Sequence, residues 1–126
     1  SKFYADKILK TLFNLKSLRT LNILVLGLTF KENVADLRNS KVFDLIDQLI
    51  QFGLPVSIYD PLVKRERLEE KYQDIFDDRY KLHDYSVVIL AVPHDAILTE
   101  TKYFSEELKN NEPFIFDLKN VLGRDV

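Results

Sequence analysis

Cysteine is absent from this sequence of 126 residues, and its absence excludes several kinds of chemistry. Without cysteine the sequence offers no disulfide, no thiolate metal site and no cysteine nucleophile. Histidine is scarce as well, since His83 and His94 are the only two, and they lie too far apart for a metal-binding pair on one helix. A cytoplasmic location fits such a composition.

Long apolar runs and an excess of one charge are also lacking. No apolar stretch approaches the roughly 18 residues of a membrane span, and the first residues do not follow the pattern of a secretory signal. The formal net charge is -2, so no strong field draws the chain to nucleic acid or to an acidic membrane. A hydrophobic content of 46% and a charged content of 30% are typical of a globular domain with one core. We therefore expect partners other than nucleic acids and membranes.

Glycine is the third scarce residue, and this bears on nucleotide binding. The dinucleotide fingerprint needs three glycines so that the backbone can approach a pyrophosphate, whereas Gly27 stands alone after the first predicted strand. Asp60 ends the second predicted strand as a ribose-binding acid would, but it lies 33 residues after Gly27 instead of roughly 20. Because proline follows Asp60, a turn residue is the favoured interpretation. Independent dinucleotide binding and a Walker loop are not predicted.

Apolar periodicity predicts a chain in which helices and strands alternate. One helix is predicted over 3–13, and the strongest amphipathic pattern predicts another over 40–52, with Asn39 or Ser40 as its cap and Gly53 as its end. The other predicted elements are strands at 21–26, 55–59, 87–92 and 114–117, a charged helix at about 64–72, and two short helices within 94–109.

This alternation predicts an α/β domain with a parallel sheet covered by helices on both faces. Right-handed crossovers favour the strand order 2-1-3-4, with strands one and three adjacent where the winding direction reverses. Ligands of such sheets bind beyond the carboxyl ends of the strands at that point. The loops that meet there are 27–39 and 93–95, so a site is expected between them.

Two cations and a helix N-terminus come together in the first of these loops. Lys31 carries a mobile ammonium suited to a phosphate, and Arg38 carries a planar fork that can hold two oxygens. The amides of residues 40–42 would add the positive end of a helix dipole. Together these groups suit a diphosphate without a glycine-rich loop. Spacing alone leaves a second interpretation open, in which Lys31 is only solvated and Arg38 pairs with Asp36 at the surface.

Two neighbouring side chains also have two interpretations each. Phe30 could pack against a ligand ring, but a place over the sheet is favoured. His94 would face the same crevice, but a polar residue at a helix start is favoured. A phosphoacceptor receiver domain is excluded because its acidic residues do not follow strands one and three, and residue order alone supports no catalytic triad.

Four blocks of the sequence resemble a known family. These blocks, VLGLTFKENVADLRNSKV, VSIYDPLV, YSVVILAVPH and FIFDLKNVL, resemble the C-terminal, UDP-binding domain of the UDP-glucose/GDP-mannose dehydrogenase family over about residues 21–122. The first block is the specific one, and its form is more similar to the branch that acts on UDP-N-acetylhexosamines. The resemblance implies a Rossmann-like three-layer domain with a mainly parallel sheet at 21–126. Residues 1–20 would then be the end of a linking helix from a central domain.

The resemblance also implies an activity for the larger enzyme. An upstream domain would hold NAD, a central helical region would make a homo-oligomer, and this domain would hold the nucleotide of a UDP-sugar. The enzyme would oxidise the sugar C6 alcohol to a uronic acid through intermediates on a cysteine, for capsule or related polysaccharide biosynthesis. The catalytic cysteine and the NAD glycines have no counterpart in this sequence, so the chain alone is expected to be inactive as an oxidoreductase.

The resemblance assigns roles to individual residues. Phe30 and Lys31 match a Phe-Lys pair that contacts the nucleotide sugar, and Arg38 matches an arginine that reaches the NAD phosphates. Asp36 would orient the loop, and Ala35 stands where many relatives have proline.

An alternative function remains at this stage. The chain could be a non-catalytic Rossmann-like interaction or dimerisation domain, because helix 3–13 would expose an apolar face if it stood without a partner.

Overall fold

The sheet of this domain consists of four parallel strands in the order β2-β1-β3-β4. The computed structural model describes residues 6–11, 21–29, 31, 33–38, 40–101 and 114–118. The strands are β1 (Ile23–Leu26), β2 (Val56–Tyr59), β3 (Val87–Leu90) and β4 (Phe114–Asp117). Both the predicted strand order and the predicted parallel pairing are confirmed, and β1 and β3 are neighbours at the reversal of winding direction.

Helices and short turns connect the strands. Residues 6–11 are helical and are called α1 here. The other helices are α2 (Val42–Gln51), α3 (Glu70–Gln73) and α4 (Asp95–Thr101), with 3₁₀ turns at Arg65–Arg67 and Leu82–Asp84. The end of α2 follows the sequence prediction. Gly53 has a φ of 79° and donates to the carbonyl of Ile50 over 2.8 Å, while Leu54 donates to that of Leu49 over 3.2 Å. These two bonds form a Schellman motif, which satisfies carbonyls that the helix itself leaves without donors.

The core lies on both faces of the sheet. Ile23 and Val25 of β1 point to one face, where they pack in a cluster with side chains of α1, α2 and α3. Leu24 and Leu26 point to the other face and pack with Ile97 of α4. All four β1 side chains are fully buried, and burying such a side chain stabilises the fold by about 1.5–3 kcal/mol. The predicted three-layer α/β class is therefore confirmed.

The first helix packs on the sheet of its own chain. Ile8 and Leu9 are buried in the same cluster as Ile23 and Val25. In the described part of this helix, 6–11, these apolar side chains are thus covered within the domain. The exposed apolar face that motivated the interaction-domain alternative is not found there.

One predicted helix is wrong. The charged segment 64–72 does not form a single helix, because the backbone is extended at Leu68 and Glu69, between the 3₁₀ turn and α3. The segment has too few apolar residues for a continuous buried stripe, and the extended step lets Leu68 reach the core together with Tyr72. The side-chain amide of Gln73 then donates to the carbonyl of Leu68 over 2.8 Å, which holds the break in place.

Some predictions fall outside the described residues. The first of the two helices predicted within 94–109 corresponds to α4, whereas the second lies in 102–113, outside the described residues. The outer parts of helix 3–13 and the segment 119–126 also lie outside them.

The outer edge of β2 is covered by the segment that follows α3. The amide of Ile58 donates to the carbonyl of Ile75 over 2.9 Å, and the carbonyl of Ile58 accepts from the amide of Asp77 over 2.9 Å. Phe76, between those two residues, forms the bridge to Ile58 and packs into the core. Within the described part of the chain, no helix has both the length and the apolar character needed to cross a bilayer.

Candidate functional site

Gly27 is the point where the loops after β1 and β3 touch. Its φ is 94°, and a Cβ atom built there would lie 2.4 Å from the carbonyl oxygen and 2.6 Å from the backbone nitrogen of Val92. No side chain fits this contact, so glycine is required for close approach of two backbones. The predicted meeting of these loops beyond the carboxyl ends of β1 and β3 is confirmed, and the amide of Ala91 bonds the carbonyl of Leu26 at 2.9 Å beside it.

The two cations predicted for the site lie on the loop after β1. Lys31 is exposed. The side chain of Arg38 is 87% exposed and forms a two-pronged ion pair with Asp36, at 3.0 Å from Nε to Oδ1 and 3.1 Å from Nη2 to Oδ2. Phe30, the third predicted site residue, lies outside the described residues.

The ion pair stabilises the loop and leaves some of the N–H donors of Arg38 available. The backbone amide of Arg38 also donates to Asp36 Oδ1 over 2.9 Å, so the aspartate holds the turn as well as the guanidinium. The guanidinium lowers the pKa of Asp36 below its ordinary value, chiefly through the hydrogen bonds that the carboxylate accepts. Because arginine has five N–H donors and Asp36 takes only two side-chain bonds, Arg38 keeps donors for a further anion.

The N-terminus of α2 lies behind this loop. The helix begins at Val42, and its N-cap residue, Lys41, makes no side-chain capping bond. The prediction that Ser40 caps the helix is wrong, because its hydroxyl instead donates to the carbonyl of Thr29 over 3.5 Å. Asn39, the other predicted cap, lies outside the described residues. The positive end of the α2 helix dipole lies at this point of the loop.

A buried polar cluster lies beneath the loop, formed by Thr29, Asp60 and His94. These three residues follow β1, β2 and β3, and each is at most 1% exposed. His94 Nε2 lies 2.8 Å from Asp60 Oδ2 and 3.0 Å from Thr29 Oγ1. Buried polar groups of this kind are costly unless all of them are hydrogen-bonded.

The contacts determine which nitrogen of His94 carries the proton. The amide of Asn33 donates to His94 Nδ1 over 2.8 Å, so Nδ1 is the acceptor and has no hydrogen. Nε2 therefore carries the single ring hydrogen and shares it between Asp60 Oδ2 and Thr29 Oγ1. The Thr29 hydroxyl gives its own proton to the carbonyl of Lys31 over 3.1 Å, and its oxygen is left to accept from Nε2. Every member of the cluster is thereby hydrogen-bonded.

Asp60 is filled by partners of its own chain. Its Oδ2 accepts from the amide of Leu28 at 2.7 Å in addition to His94, and its Oδ1 accepts from the amide of Leu62 at 2.7 Å. A carboxylate that is fully buried and accepts three hydrogen bonds cannot also bind the hydroxyls of a ribose. The interpretation of Asp60 as a turn residue is therefore correct. In addition to its turn bond with Leu62, Asp60 bonds Leu28 and His94, which follow β1 and β3.

The role of His94 was only partly visible in the sequence. Its backbone starts α4, because its carbonyl accepts from the amides of Ile97 and Leu98 at 2.9 and 3.0 Å. Its side chain, however, turns inward and bonds two loops. The available signal was the placement of Thr29, Asp60 and His94: one polar residue closely follows each of three strands that the order 2-1-3 makes neighbours.

Comparison with known proteins adds the identity of the domain. The family described as UDP-glucose/GDP-mannose dehydrogenase family, UDP binding domain, matches residues 24–124. The chain is 31% identical over 126 residues to Protein CapL of Staphylococcus aureus, covering 99% of this chain and 30% of that relative. It is 33% identical over 104 residues to the UDP-N-acetyl-D-glucosamine 6-dehydrogenase of Salmonella typhi, covering 80% of this chain and 24% of the relative.

A solved structure agrees with the sequence matches. The UDP-N-acetyl-mannosamine dehydrogenase Cap5O from Staphylococcus aureus superimposes with a TM-score of 0.58 at 28% identity, over 75% of this chain and 21% of that one. The chain thus spans less than a third of the length of these relatives. The expected similarity to the branch that acts on UDP-N-acetylhexosamines is confirmed. This chain belongs to the UDP-glucose/GDP-mannose dehydrogenase family and corresponds to its UDP-binding domain.

Proposed function

We propose that this domain binds the diphosphate of a UDP-sugar for a larger NAD-dependent 6-dehydrogenase, with Lys31 as its phosphate contact. The larger enzyme would oxidise the C6 alcohol of the sugar to a uronic acid, in polysaccharide biosynthesis of the kind that the name CapL suggests for a relative. The observation that carries the proposal is the exposed Lys31 at the carboxyl ends of the strands, in a domain of a UDP-binding family.

The charges around Lys31 support a phosphate ligand. The first turn of α2 presents amides and the positive end of a ten-residue helix, and the Ser40–Thr29 contact joins this turn to the loop of Lys31. Phe30 is proposed as a second contact to the nucleotide sugar, next to Lys31 in the sequence.

The described residues do not form a complete NAD site, but one of them could contact NAD. Gly27 and Thr29 are buried and Asp60 is filled, so this domain has neither the glycine-rich loop nor the acid that a dinucleotide needs. Arg38 is the exception, because it is exposed and has spare donors. We assign Arg38 to the NAD phosphates, with NAD held mainly by a domain outside this sequence. When bound, NAD would accept the hydride from the sugar.

Residues 1–20 are proposed as the end of a helix that links this domain to a central helical region. The described part of that helix, 6–11, packs on the sheet through Ile8 and Leu9, so the linking helix would be fixed to the domain core. A homo-oligomer formed by the central region is part of the same proposal.

Replacement of Lys31 by alanine tests the assignment. In the complete enzyme, Lys31→Ala should raise the KM for the UDP-sugar, because a charged hydrogen bond to a phosphate is lost. A loss of about 1.5–3 kcal/mol corresponds to a roughly 10- to 150-fold weaker interaction. The measurement is steady-state kinetics over a range of UDP-sugar concentrations at saturating NAD.

Lys81 provides a matched control for this experiment. It is an exposed lysine before the 3₁₀ turn that precedes β3, and it belongs to neither of the loops that form the proposed site, so Lys81→Ala removes the same charge elsewhere. We expect wild-type kinetics for this variant. If Lys31→Ala leaves both KM and kcat unchanged, the assignment of Lys31 is wrong.

A further inference from the structure

We infer that His94 is a positioning residue, which together with Thr29 and Asp60 holds the backbone of Lys31 so that its ammonium can meet the phosphate. This inference rests on the proposed function of Lys31. The buried cluster bonds the carbonyl of Lys31 and the amide of Asn33, two residues later, and each of its three side chains is at most 1% exposed.

The first hold is on the carbonyl of Lys31. Thr29 Oγ1 donates to this carbonyl over 3.1 Å, and the Thr29 side chain is buried. His94 Nε2 lies 3.0 Å from the same Oγ1 and shares its hydrogen between that oxygen and Asp60, which directs the Thr29 hydroxyl proton toward Lys31. His94 therefore acts on Lys31 through Thr29.

The second hold is two residues further along. The amide of Asn33 donates to His94 Nδ1 over 2.8 Å. Asn33 has a φ of 62°, a left-handed conformation that non-glycine residues seldom adopt, and its side-chain oxygen accepts from the amide of Asp95 over 2.9 Å. These bonds fasten the turn at Asn33, two residues after Lys31, to the start of α4, and one imidazole ring takes part in both contacts.

The ring itself is held firmly. Asp60 accepts the Nε2 hydrogen and is fixed by the amides of Leu28 and Leu62, so the imidazole cannot rotate without losing a buried hydrogen bond. A rigid support of this kind keeps the loop ordered before a ligand arrives. The loop that carries Lys31 therefore loses little conformational entropy when a ligand binds.

Two substitutions of His94 separate the two nitrogens. The side-chain oxygen of asparagine lies near the place of Nδ1, so His94→Asn keeps an acceptor for the Asn33 amide. The side-chain amide of glutamine reaches the place of Nε2, so His94→Gln keeps a donor to Asp60 and loses that acceptor. Both variants lose the ring and its packing, so a general loss of stability affects both.

The affinity for UDP is measured by calorimetry on the complete enzyme. We expect His94→Gln, which loses the contact with Asn33, to weaken binding about tenfold, the value of one hydrogen bond that orders the loop, and His94→Asn, which keeps that contact and loses the donor to Thr29, to weaken it less. His83→Gln, at the other histidine, in the 3₁₀ turn before β3, should leave the affinity unchanged.

A double variant tests whether His94 acts through Lys31. In the Lys31→Ala background, His94→Gln should cause less than about a twofold further loss, because the group that it positions is already gone. Losses that multiply in the double variant would contradict the inference, since His94 would then affect binding by a separate route. Unchanged affinity in His94→Gln alone would contradict it too.

Hydrogen exchange in the ligand-free chain provides a readout that does not depend on the proposed function. The Asn33 amide should lose its protection in His94→Gln and keep it in His94→Asn, while the amide of Ile89 in β3 stays protected in both. Equal protection of Asn33 in all three proteins would overturn the inference. If the wild-type enzyme fails to bind UDP, the proposed function is wrong, and the exchange pattern still decides whether His94 holds the loop.

Discussion

At the scale of single residues, the close contact at Gly27 sets the geometry of the whole site. Its missing side chain lets the loop after β1 rest on the backbone of Val92, and its amide bonds the carbonyl of Tyr59 at 2.9 Å. One glycine therefore joins the ends of β1, β2 and β3. Under the proposed function a glycine-rich phosphate loop is not needed, because Lys31 and the start of α2 would meet the diphosphate instead.

Gly27→Ala should destabilise the domain by about 2–4 kcal/mol, because the new Cβ meets rigid backbone atoms and the φ is positive. Urea unfolding monitored by circular dichroism measures this loss. Gly53→Ala is the matched control. Gly53 also has a positive φ, of 79°, but nothing lies within 4 Å of its added Cβ, so a cost of about 1 kcal/mol is expected. Equal losses in the two variants would show that close contact at Gly27 is unimportant.

At this scale the sequence predicts where some residues lie but not which hydrogen bonds they form. The pattern of strand, loop and helix predicts that Lys31 and Arg38 lie on the loop after β1, as they do in the structure, while their contacts with ligands stay predictions. The Asp36–Arg38 pair was one of two open interpretations, and the structure shows that the pair forms. The hydrogen bonds of His94 could not be predicted, because they depend on where the backbone of Asn33 passes, and no local periodicity encodes that path.

At the scale of elements, the buried strands and the amphipathic α2 were predictable, whereas the segment between β2 and β3 was not. Short continuous apolar runs in the strands and a regular apolar stripe in α2 determine the local structure there. In 64–72 the local helix preference of charged residues loses to the burial of Leu68 and Tyr72. Tertiary contacts decide this segment, and a sequence pattern does not contain them.

The short α3 depends on Tyr72. A helix of four residues is unstable alone, and Tyr72 holds it through a hydrogen bond of 2.7 Å from its hydroxyl to Asp47 and through a ring contact with Phe43 at 4.7 Å between centroids. Tyr72→Ala should cost about 3–5 kcal/mol, while Tyr72→Phe should cost about 1 kcal/mol because only the hydrogen bond is lost.

Hydrogen exchange by mass spectrometry localises this effect. In Tyr72→Ala, residues 70–77 should exchange faster than in the wild type, while residues 23–26 of β1 change much less. The same acceleration in both segments would show that α3 does not open separately from the sheet.

At the scale of the whole molecule, the domain has the fold of an α/β unit, and under the proposed function it supplies only part of a dehydrogenase site. The sheet, both covering layers and the loop anchors are within one chain. The sequence has no cysteine, and the carboxylate of Asp60 already accepts hydrogen bonds from its own chain. We therefore expect the chain alone to show no turnover of a UDP-sugar with NAD, measured by the absorbance of NADH. The complete enzyme, assayed in parallel, should be active. Turnover by the isolated chain would contradict the division of the site between domains.

The covering of β2 limits how copies of this domain can associate through their sheets. The backbone N–H and C=O of Ile58 in β2 point away from β1. Both are hydrogen-bonded to the segment around Phe76. A foreign strand therefore finds no continuous row of free donors and acceptors on that side. Within the described sheet, growth by strand addition is confined to β4, so edge-to-edge polymerisation in both directions is blocked without any charged or proline gatekeeper in β2 itself.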